Sequence, residues 1–311
     1  MDFYFDSYGD LTLQRAMVSD QVRTDAFADA IAEVVKEGDT VLDVGTGTGL
    51  LAMLAAKAGA KKVYGIDQAS VAALATKLVE HNGLSDKVEI TKGNAKHLEL
   101  PEKVDLLVSE WLGHFGFVET MLDDVILARD RNLKPNGTMM PSSIELFMAP
   151  ISVPWIYGET GPGFWSFPVR GIDYSPLEAM ELKQAIAGKS VVPVDALLSR
   201  GESLMEFDLK TVKKDDPWQS GDLEFVIEED GQMDGFVGWF VSDLSPEVTL
   251  DTGPGNVPTH WGQTHFMFPP RDVKKGDVVK AHFALDRHPF EERSLELRLT
   301  VDDDTIHYTV G

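Results

Sequence analysis

The sequence predicts a mixed α/β protein of two domains, in which a doubly wound Rossmann-like domain is followed by an antiparallel β-barrel-like domain. Segments with strand and helix patterns alternate as far as Met140, which is typical of parallel strands connected by helices. After Pro141 the strand patterns follow one another without regular helices between them. A chain of 311 residues is also long enough for two hydrophobic cores. We therefore expect domains at residues 1–143 and 144–311.

The first half repeats one local order of elements. An apolar pattern at helical spacing is ended by Glu37-Gly38-Asp39, and a short apolar strand follows. A glycine-rich turn then leads into an alanine-rich helix, which Gly59 ends before the second strand. This order predicts strands at residues 40–44, 62–66, 88–91, 104–109 and 137–140, and helices at residues 25–36, 50–58, 71–82 and 119–133.

The second half reads as an antiparallel barrel or sandwich with one long excursion. Strands are predicted at residues 144–150, 223–227, 235–241, 278–285 and 295–301. The excursion, at about residues 155–200, is too long for a simple hairpin connection. Helical patterns at residues 176–187 and 194–200 predict that it contains helices.

The charge of the chain limits its partners. Lysine and arginine number 28 against 51 aspartates and glutamates, which gives a formal net charge of −23. Such a protein repels nucleic-acid phosphates and attracts cations, so we expect no nucleic-acid partner. An acidic surface that serves solubility and one that steers a basic substrate both account for this charge.

Compartment and metal content are predicted from what the sequence lacks. No apolar run reaches the roughly 18 residues of a membrane-spanning helix, and the residues after Met1 lack the basic stretch of a secretory signal. We therefore expect a cytoplasmic protein without membrane contact. The absence of cysteine excludes thiolate nucleophiles and thiolate metal sites, and we expect no metal.

A glycine-rich motif predicts the cofactor. Residues 41–49 read Val-Leu-Asp-Val-Gly-Thr-Gly-Thr-Gly and place three alternate glycines where the first strand turns into a helix. The dinucleotide pattern G-x-G-x-x-G and the P-loop lysine are both absent, so S-adenosylmethionine fits better than NAD or ATP. Asp67 ends the second strand, where a carboxylate can accept hydrogen bonds from ribose hydroxyls. The predicted cofactor-binding residues of this region are Asp43, Gly45, Thr46, Gly47, Gly49, Asp67, Gln68, Asn94 and Ala95.

Four separated motifs resemble those of the protein arginine N-methyltransferase family. Residues 109–119, Ser-Glu-Trp-Leu-Gly-His-Phe-Gly-Phe-Val-Glu, look like its double-glutamate hairpin. Residues 4–8 resemble its N-terminal aromatic motif, residues 17–24 resemble the helix that closes over the cofactor, and residues 259–261 match its Thr-His-Trp loop. The resemblance covers nearly the whole chain, with the motifs in the family's order.

The resemblance implies a reaction and roles for individual residues. A guanidinium stays protonated, so it and a sulfonium methyl donor bring two positive charges to one site. Opposing carboxylates of Glu110 and Glu119 would relieve that repulsion and aim one guanidinium nitrogen at the methyl carbon. His260 and Asp20 would form a pair that drains the released proton. Further roles implied are Phe5 and Arg23 as cofactor ligands, and Tyr4, Tyr8, Met17 and Trp261 as walls of the acceptor site.

The chain departs from the family at four positions, which are Gln14, Asp67, Lys96 and His114. Lys96 stands where the family has an acid, and a lysine cannot accept a hydrogen bond from the adenine amino group. The acceptor is expected to be arginine in a protein or peptide; free arginine or a guanidino metabolite is the alternative, and a non-catalytic binding protein on the same fold is the second. The resemblance also implies a homodimer formed through the arm at about residues 155–200, and Met17 implies asymmetric dimethylarginine as the product.

Overall fold

The computed structural model describes residues 10–188 and 191–311. These residues form a parallel sheet with helices followed by antiparallel sheets, so the predicted fold class is confirmed. Within this described part of the chain, no helix is both long and apolar enough to cross a membrane.

In the described residues, five parallel strands and five α-helices form the first half. The strands are β1 at Thr40–Val44, β2 at Lys62–Asp67, β3 at Val88–Lys92, β4 at Val104–Val108 and β5 at Leu133–Met140. The helices are α1 at Leu11–Ser19, α2 at Gln21–Val34, α3 at Leu50–Ala58, α4 at Ala72–His81 and α5 at Leu122–Asn132. The strand order is β3-β2-β1-β4-β5, so the order reverses between β1 and β4. A ligand site is expected at the carboxyl ends of the strands beside that reversal.

Local sequence explains why these elements form where they do. All five residues of β1 are buried, which accounts for its three apolar residues, Val41, Leu42 and Val44, on both faces of the strand. Helix α3 places Leu51, Ala52, Ala55 and Ala56 on one buried face, because residues three and four apart share a side of a helix. Asp20 caps the start of α2, where its carboxylate accepts a hydrogen bond from a main-chain N–H.

The second half contains two antiparallel sheets. The first consists of β6 at Ser143–Ile151, β7 at Ile186–Ala187, β8 at Glu202–Asp208, β10 at Gly231–Asp243, β11 at Thr249–Asp251 and β12 at Thr264–Val273. The second consists of β9 at Ser220–Val226, β13 at Val278–Arg287, β14 at Leu295–Val301 and β15 at Asp304–Val310. Their orders are β7-β12-β10-β6-β8, with β11 beside β10, and β15-β14-β13-β9. The two sheets share a core, in which Phe236 packs against Phe225 and Phe266 packs against Tyr308.

The excursion is less helical than the sequence predicts. Within residues 176–187 the α-helix is a single turn, α6 at Glu178–Glu181, and within 194–200 there is only a 3₁₀ turn at Val194–Ala196. Helix is present at the start of the first predicted stretch, as a 3₁₀ turn at Ser175–Leu177 followed by α6, but it does not extend to Ala187. It stops early because Ile186 and Ala187 pair with β12 as strand β7, and such tertiary pairing overrides the local pattern.

Strands β8, β11, β12 and β15 were not predicted. Strand β12 contains Pro269-Pro270, which weakens the strand signal, and β15 begins in the acidic turn that follows Val301. Strand β12 pairs with β10, and β15 pairs with β14 as a hairpin. A local sequence pattern does not reveal such pairing.

Candidate active site

The turn after β1 is built on three glycines in the left-handed region. The angle φ is +72° at Gly45, +53° at Gly47 and +81° at Gly49, values that residues with side chains rarely adopt. The main-chain N–H groups of Gly45 and Thr46 donate to the Ile66 carbonyl oxygen at 2.9 and 3.0 Å. These bonds tie the turn to β2 and leave its glycine backbone facing a cavity.

Asp43 is buried beneath this turn and supports it. Its Oδ2 accepts hydrogen bonds from Thr46 Oγ1 at 2.6 Å and from the Ala52 N–H at 3.1 Å. Burial raises the pKa of Asp43 to about 7, although those two hydrogen bonds pull it downwards. Asp43 does not line the cavity, so the structure places it as a support of the glycine turn.

Asp67 stands at the end of β2, at the cavity surface. Its Oδ2 accepts a hydrogen bond from the Gly47 N–H at 2.9 Å, and its Oδ1 accepts one from the Ala69 N–H at 2.7 Å. Burial raises the pKa of Asp67, and these two bonds offset part of that rise. Each carboxylate oxygen retains acceptor capacity, so Asp67 can still receive two hydroxyl donors.

The segment after β3 closes the same side of the cavity. Asn94 Nδ2 donates to Gln68 Oε1 at 2.7 Å, which holds the turns after β2 and β3 together. Gly93, Gln68 and Ala95 line the cavity, whereas Asn94 lies behind them.

Lys96 forms an ion pair that the sequence did not predict. Its Nζ lies 3.2 Å from Oδ1 of Asp124 on α5, and the Asp124 side chain is 15% exposed. Burial raises the pKa of Asp124, and Lys96 counteracts that rise. Asp124 lines the cavity, so a carboxylate from a neighbouring helix lies beside Lys96 at the cavity surface.

The segment that carries the two glutamates is a tight, buried hairpin. Gly113 and Gly116 exchange main-chain hydrogen bonds at 3.1 and 3.0 Å. A side chain at Gly113 would place its Cβ 2.1 Å from the Val118 carbonyl oxygen, so only glycine fits. Trp111 and Phe117 are buried and stack with ring centroids 5.9 Å apart. The hairpin is therefore rigidly packed, and its two ends face the cavity.

Glu110, at the first end, is held by Arg23. Both Nε and Nη2 of Arg23 donate to Glu110 Oε2, at 2.8 and 2.6 Å, and the Leu112 N–H donates to Oε1 at 3.1 Å. The two side chains are 10% and 8% exposed. Arg23 Nη1 also donates to the Met17 carbonyl oxygen at 3.3 Å. The sequence assigned Arg23 and Glu110 to different ligands and did not predict their contact.

Glu119, at the second end, has an unusual backbone. The angle φ is +77° at Glu119 and +53° at Thr120, a conformation that costs roughly 1–2 kcal/mol per residue. The Glu119 N–H donates to the Arg293 carbonyl oxygen and the Glu119 carbonyl oxygen accepts from Arg293 Nη1, both at 2.8 Å. The loop between β13 and β14 therefore fixes the main chain of Glu119.

His260 and Asp20 form the predicted pair. His260 Nδ1 lies 2.7 Å from Asp20 Oδ2, and the His260 main-chain N–H donates to the same oxygen at 2.9 Å. Burial acts to raise the pKa of Asp20, but hydrogen bonds from His260 and from the Arg23 N–H outweigh it and lower the pKa. Asp20 is therefore ionised and fixes the imidazole ring next to the cavity.

Trp261 supports the hairpin more than it walls the cavity. Its side chain is in the core, at 3% exposure, and packs edge-on against Phe240. Its Nε1 donates to the Leu112 carbonyl oxygen at 2.6 Å, and its own carbonyl oxygen lies 2.8 Å from His114 Nδ1. The Thr-His-Trp loop is thus bonded to the glutamate hairpin.

All these groups surround one cavity of about 290 Å³. The predicted residues that line it are Met17, Arg23, Gly45, Thr46, Gly47, Asp67, Gln68, Ala95, Glu110, Glu119, His260 and Trp261. Asp20, Asp43, Gly49 and Asn94 lie just behind its surface, and Tyr4, Phe5 and Tyr8 lie outside the described residues.

Sequence reasoning missed several residues of the lining, among them Leu13, Val18, Met121 and Asp124. Helical spacing could have found Leu13, because it lies four residues before Met17 on the same side of α1. Met121 and Asp124 lie in the turn and helix after Glu119, where no motif marks them.

The charge of the cavity suits cationic ligands. Among its described lining residues, the carboxylates are Asp67, Glu110, Glu119 and Asp124, whereas Arg23 is the guanidinium. Negative charge therefore exceeds positive charge inside a partly buried space, where electrostatic attraction is stronger than in water. The described residues contain no group of three or more His, Asp or Glu side chains that could hold a metal ion.

Family models match both halves of the chain. The model for the arginine methyltransferase oligomerization subdomain matches residues 143–303, and the model for ribosomal protein L11 methyltransferase matches residues 24–145. The first match covers most of the antiparallel sheets, and the second covers the parallel sheet.

Curated and solved relatives match along the whole chain. Protein arginine N-methyltransferase 1 of Schizosaccharomyces pombe is 36% identical, over 96% of this chain and 89% of the relative. Protein arginine N-methyltransferase 6 of Danio rerio is 36% identical, over 99% and 89%. The Trypanosoma brucei PRMT1 enzyme-prozyme heterotetrameric complex with AdoHcy contains a chain that matches with a TM-score of 0.92 at 30% identity, over 98% of this chain and 100% of that one. Arabidopsis thaliana protein arginine methyltransferase 10 matches with a TM-score of 0.87 at 30% identity, over 99% and 100%.

Proposed function

Because this chain belongs to the protein arginine N-methyltransferase family, an S-adenosylmethionine-dependent group, we propose that its cavity methylates an ω-nitrogen of arginine between Glu110 and Glu119. The observation that carries the assignment of residues is the position of the two glutamates. They occupy the two ends of one rigid hairpin and line the cavity that also contains Asp67 and the glycine turn.

The residues around the glycine turn fit the cofactor. The backbone of Gly45 and Gly47 leaves room for close approach, and Asp67 would accept hydrogen bonds from the two ribose hydroxyls. Asp124, paired with Lys96, would accept a hydrogen bond from the adenine amino group. Arg23, which lines the cavity close to Glu110, would hold the methionyl carboxylate. When bound, the cofactor supplies an electrophilic methyl carbon on a sulfonium.

The two glutamates bind and orient the acceptor. A guanidinium is planar and presents donors on separate edges, so two carboxylates can fix its plane as well as its position. Glu110 and Glu119 attract positive charge toward the nitrogens that they contact, which leaves the third nitrogen more nucleophilic. The tight packing of the hairpin fixes the main chain at both of its ends, so the two carboxylates are held in place before the acceptor binds. Charged groups preorganised in this way are the main source of electrostatic catalysis.

His260 and Asp20 take up the proton that the methylated nitrogen loses. With its Nδ1–H donated to Asp20, the imidazole presents Nε2 as the proton acceptor. The ionised Asp20 then stabilises the imidazolium that results, so the pair acts as a proton outlet beside the cavity.

The acceptor is arginine within a protein or peptide; free arginine is the alternative. The Schizosaccharomyces pombe and Danio rerio relatives are named protein arginine N-methyltransferases, and the net charge of −23 suits a basic polypeptide. The proposed working unit is a homodimer, formed by the arm at residues 155–200. Several large apolar side chains of this arm are exposed, and they include Trp155, Phe164, Phe167, Ile172 and Met180.

One assay tests the reaction and the acceptor together. The purified protein is incubated with methyl-labelled S-adenosylmethionine and either arginine, an Arg-Gly-rich peptide or whole-cell lysate. We expect label in the peptide and in lysate proteins, and none in free arginine. The Glu119→Gln protein serves as the control that links any label to this site. Label in free arginine alone would overturn the choice of acceptor, and no label in any sample would overturn the proposed reaction.

A further inference from the structure

The loop between β13 and β14, in the second half of the chain, forms hydrogen bonds with the end of the glutamate hairpin. The Arg293 carbonyl oxygen accepts from the Glu119 N–H, and Arg293 Nη1 donates to the Glu119 carbonyl oxygen, each at 2.8 Å. Thr120 Oγ1 donates to the Glu292 carbonyl oxygen at 2.8 Å. Glu119 is thus bonded on both sides of its Cα by one residue that lies 174 positions later.

The backbone at this place requires such support. Glu119 and Thr120 are consecutive residues with φ of +77° and +53°, and neither is a glycine. Residues with side chains keep such a conformation only where the surroundings impose it. Because both the N–H and the carbonyl of Glu119 are bonded to Arg293, the two peptide planes that flank its Cα are fixed. The direction of the Cα–Cβ bond, and with it the aim of the carboxylate, follows from those planes.

The loop between β13 and β14 is itself anchored. Arg287 Nη2, at its start, donates to Asp123 Oδ1 at 2.9 Å, next to the beginning of α5. Within the loop, the His288 N–H donates to the Ser294 carbonyl oxygen at 3.1 Å, and the Ser294 N–H donates to the Glu291 carbonyl oxygen at 3.1 Å. The hydrogen bonds of this loop therefore fix the position of Arg293, and Arg293 in turn fixes the main chain of Glu119.

We infer that Arg293 is a positioning residue for methyl transfer, which acts by holding the main chain of Glu119 so that its carboxylate faces the acceptor guanidinium. This inference rests on the proposed role of Glu119. Arg293 touches neither the acceptor nor the cofactor in this scheme. An arginine suits the task because its planar guanidinium presents donors in fixed directions, whereas the ammonium of a lysine is a single flexible point.

The first test compares Arg293→Ala and Arg293→Lys with Arg298→Ala, a control on β14. Arg298 is exposed and pairs with Asp286 at the surface. We expect Arg293→Ala to lower kcat for peptide methylation by about tenfold to a hundredfold, because small displacements of an aligning group have effects of this order. The Kd of S-adenosylhomocysteine, from calorimetry, should stay within about twofold. Arg293→Lys should be intermediate, and Arg298→Ala should match the wild type. Should Arg293→Ala fail to fold, Arg293→Lys decides by the same readouts.

The second test asks whether Arg293 acts through Glu119. In the Glu119→Gln background, Arg293→Ala should lower kcat by less than about twofold, because the group that it positions has already been disabled. A merely structural role would instead weaken S-adenosylhomocysteine binding and multiply the loss in the double variant, and either result overturns the inference. Wild-type turnover in Glu119→Gln would overturn the role of Glu119 itself. A loss in Glu119→Gln with wild-type turnover in Arg293→Ala and Arg293→Lys would overturn the inference alone.

Discussion

The two glutamates of the hairpin should differ in what their neutralisation does to stability. Glu110→Gln removes the negative partner of a salt bridge whose side chains are about nine-tenths buried, with an N–O distance of 2.6 Å. Two unit charges about 4 Å apart interact by roughly 4 kcal/mol at an effective dielectric constant of about 20. Glutamine can still accept a hydrogen bond from Arg23, which recovers part of this. We therefore expect the free energy of unfolding to fall by about 2–3 kcal/mol.

Glu119→Gln is the matched variant. The hydrogen bonds between Glu119 and Arg293 use the main chain of Glu119, which glutamine preserves. Because these main-chain bonds survive, we expect Glu119→Gln to lower the free energy of unfolding less than Glu110→Gln does, by about 1 kcal/mol, the centre of the range for point substitutions. Both variants should nevertheless lower turnover by about a hundredfold or more, because each removes one carboxylate from the acceptor guanidinium.

Thermal unfolding at neutral pH separates the two effects. A loss of 2–3 kcal/mol corresponds to a Tm lower by roughly 3–5 °C for a chain of 311 residues, against about 1.5 °C for the Glu119→Gln control. Turnover is measured on the same preparations with labelled cofactor. Equal Tm values for the two variants would refute the reasoning about the Arg23–Glu110 pair, whatever the activities are.

Further predictions concern pH, the adenine pocket, assembly and product. The pKa of Asp43 in the folded state, about 7, lies above its ordinary 3.8, so folding favours the protonated carboxyl and the stability that it contributes is lost as pH rises toward 7. Between about pH 4 and pH 8, the stability of Asp43→Asn relative to wild type should therefore rise, by at most roughly 4 kcal/mol of unfolding free energy, and the Tm difference should follow; a pH-independent Tm difference would contradict the raised pKa of the buried Asp43 carboxyl. Asp124→Asn should weaken S-adenosylhomocysteine binding about tenfold and strengthen binding of its 6-oxo analogue, which calorimetry can compare, because an amide N–H can donate to the oxo group; equal weakening of both would speak against the contact with the amino group. Deletion of about residues 155–200 should give a monomer by light scattering, and a full-length chain that is monomeric at micromolar concentration would exclude the arm as the dimer contact. The thioether of Met17 leaves room for a methylated nitrogen to return, so mass spectrometry should find monomethylarginine and asymmetric dimethylarginine; symmetric dimethylarginine as the main product would rule out that argument.

The sequence by itself determined the features that depend on near neighbours. The period of apolar residues marked α3, because burial of one face of a helix leaves a repeat of fixed length. Short runs rich in apolar residues marked the strands of the parallel sheet, which are buried on both faces at its centre. Alternate glycines marked the turn after β1, since left-handed φ angles at Gly45, Gly47 and Gly49 require residues without side chains. The resemblance of four motifs indicated the family and the pair of Asp20 with His260.

Only the tertiary structure decided which charged groups meet. Arg23 and Glu110 are 87 positions apart, and Glu119 and Arg293 are 174 positions apart. Lys96 and Asp124 likewise come from separate elements. Each contact depends on how sheets and helices pack against one another. The residues near a side chain in the sequence do not indicate which distant residue that packing brings next to it. The same reason explains why the helix predicted at residues 176–187 ends early, since Ile186 and Ala187 pair with β12 as strand β7.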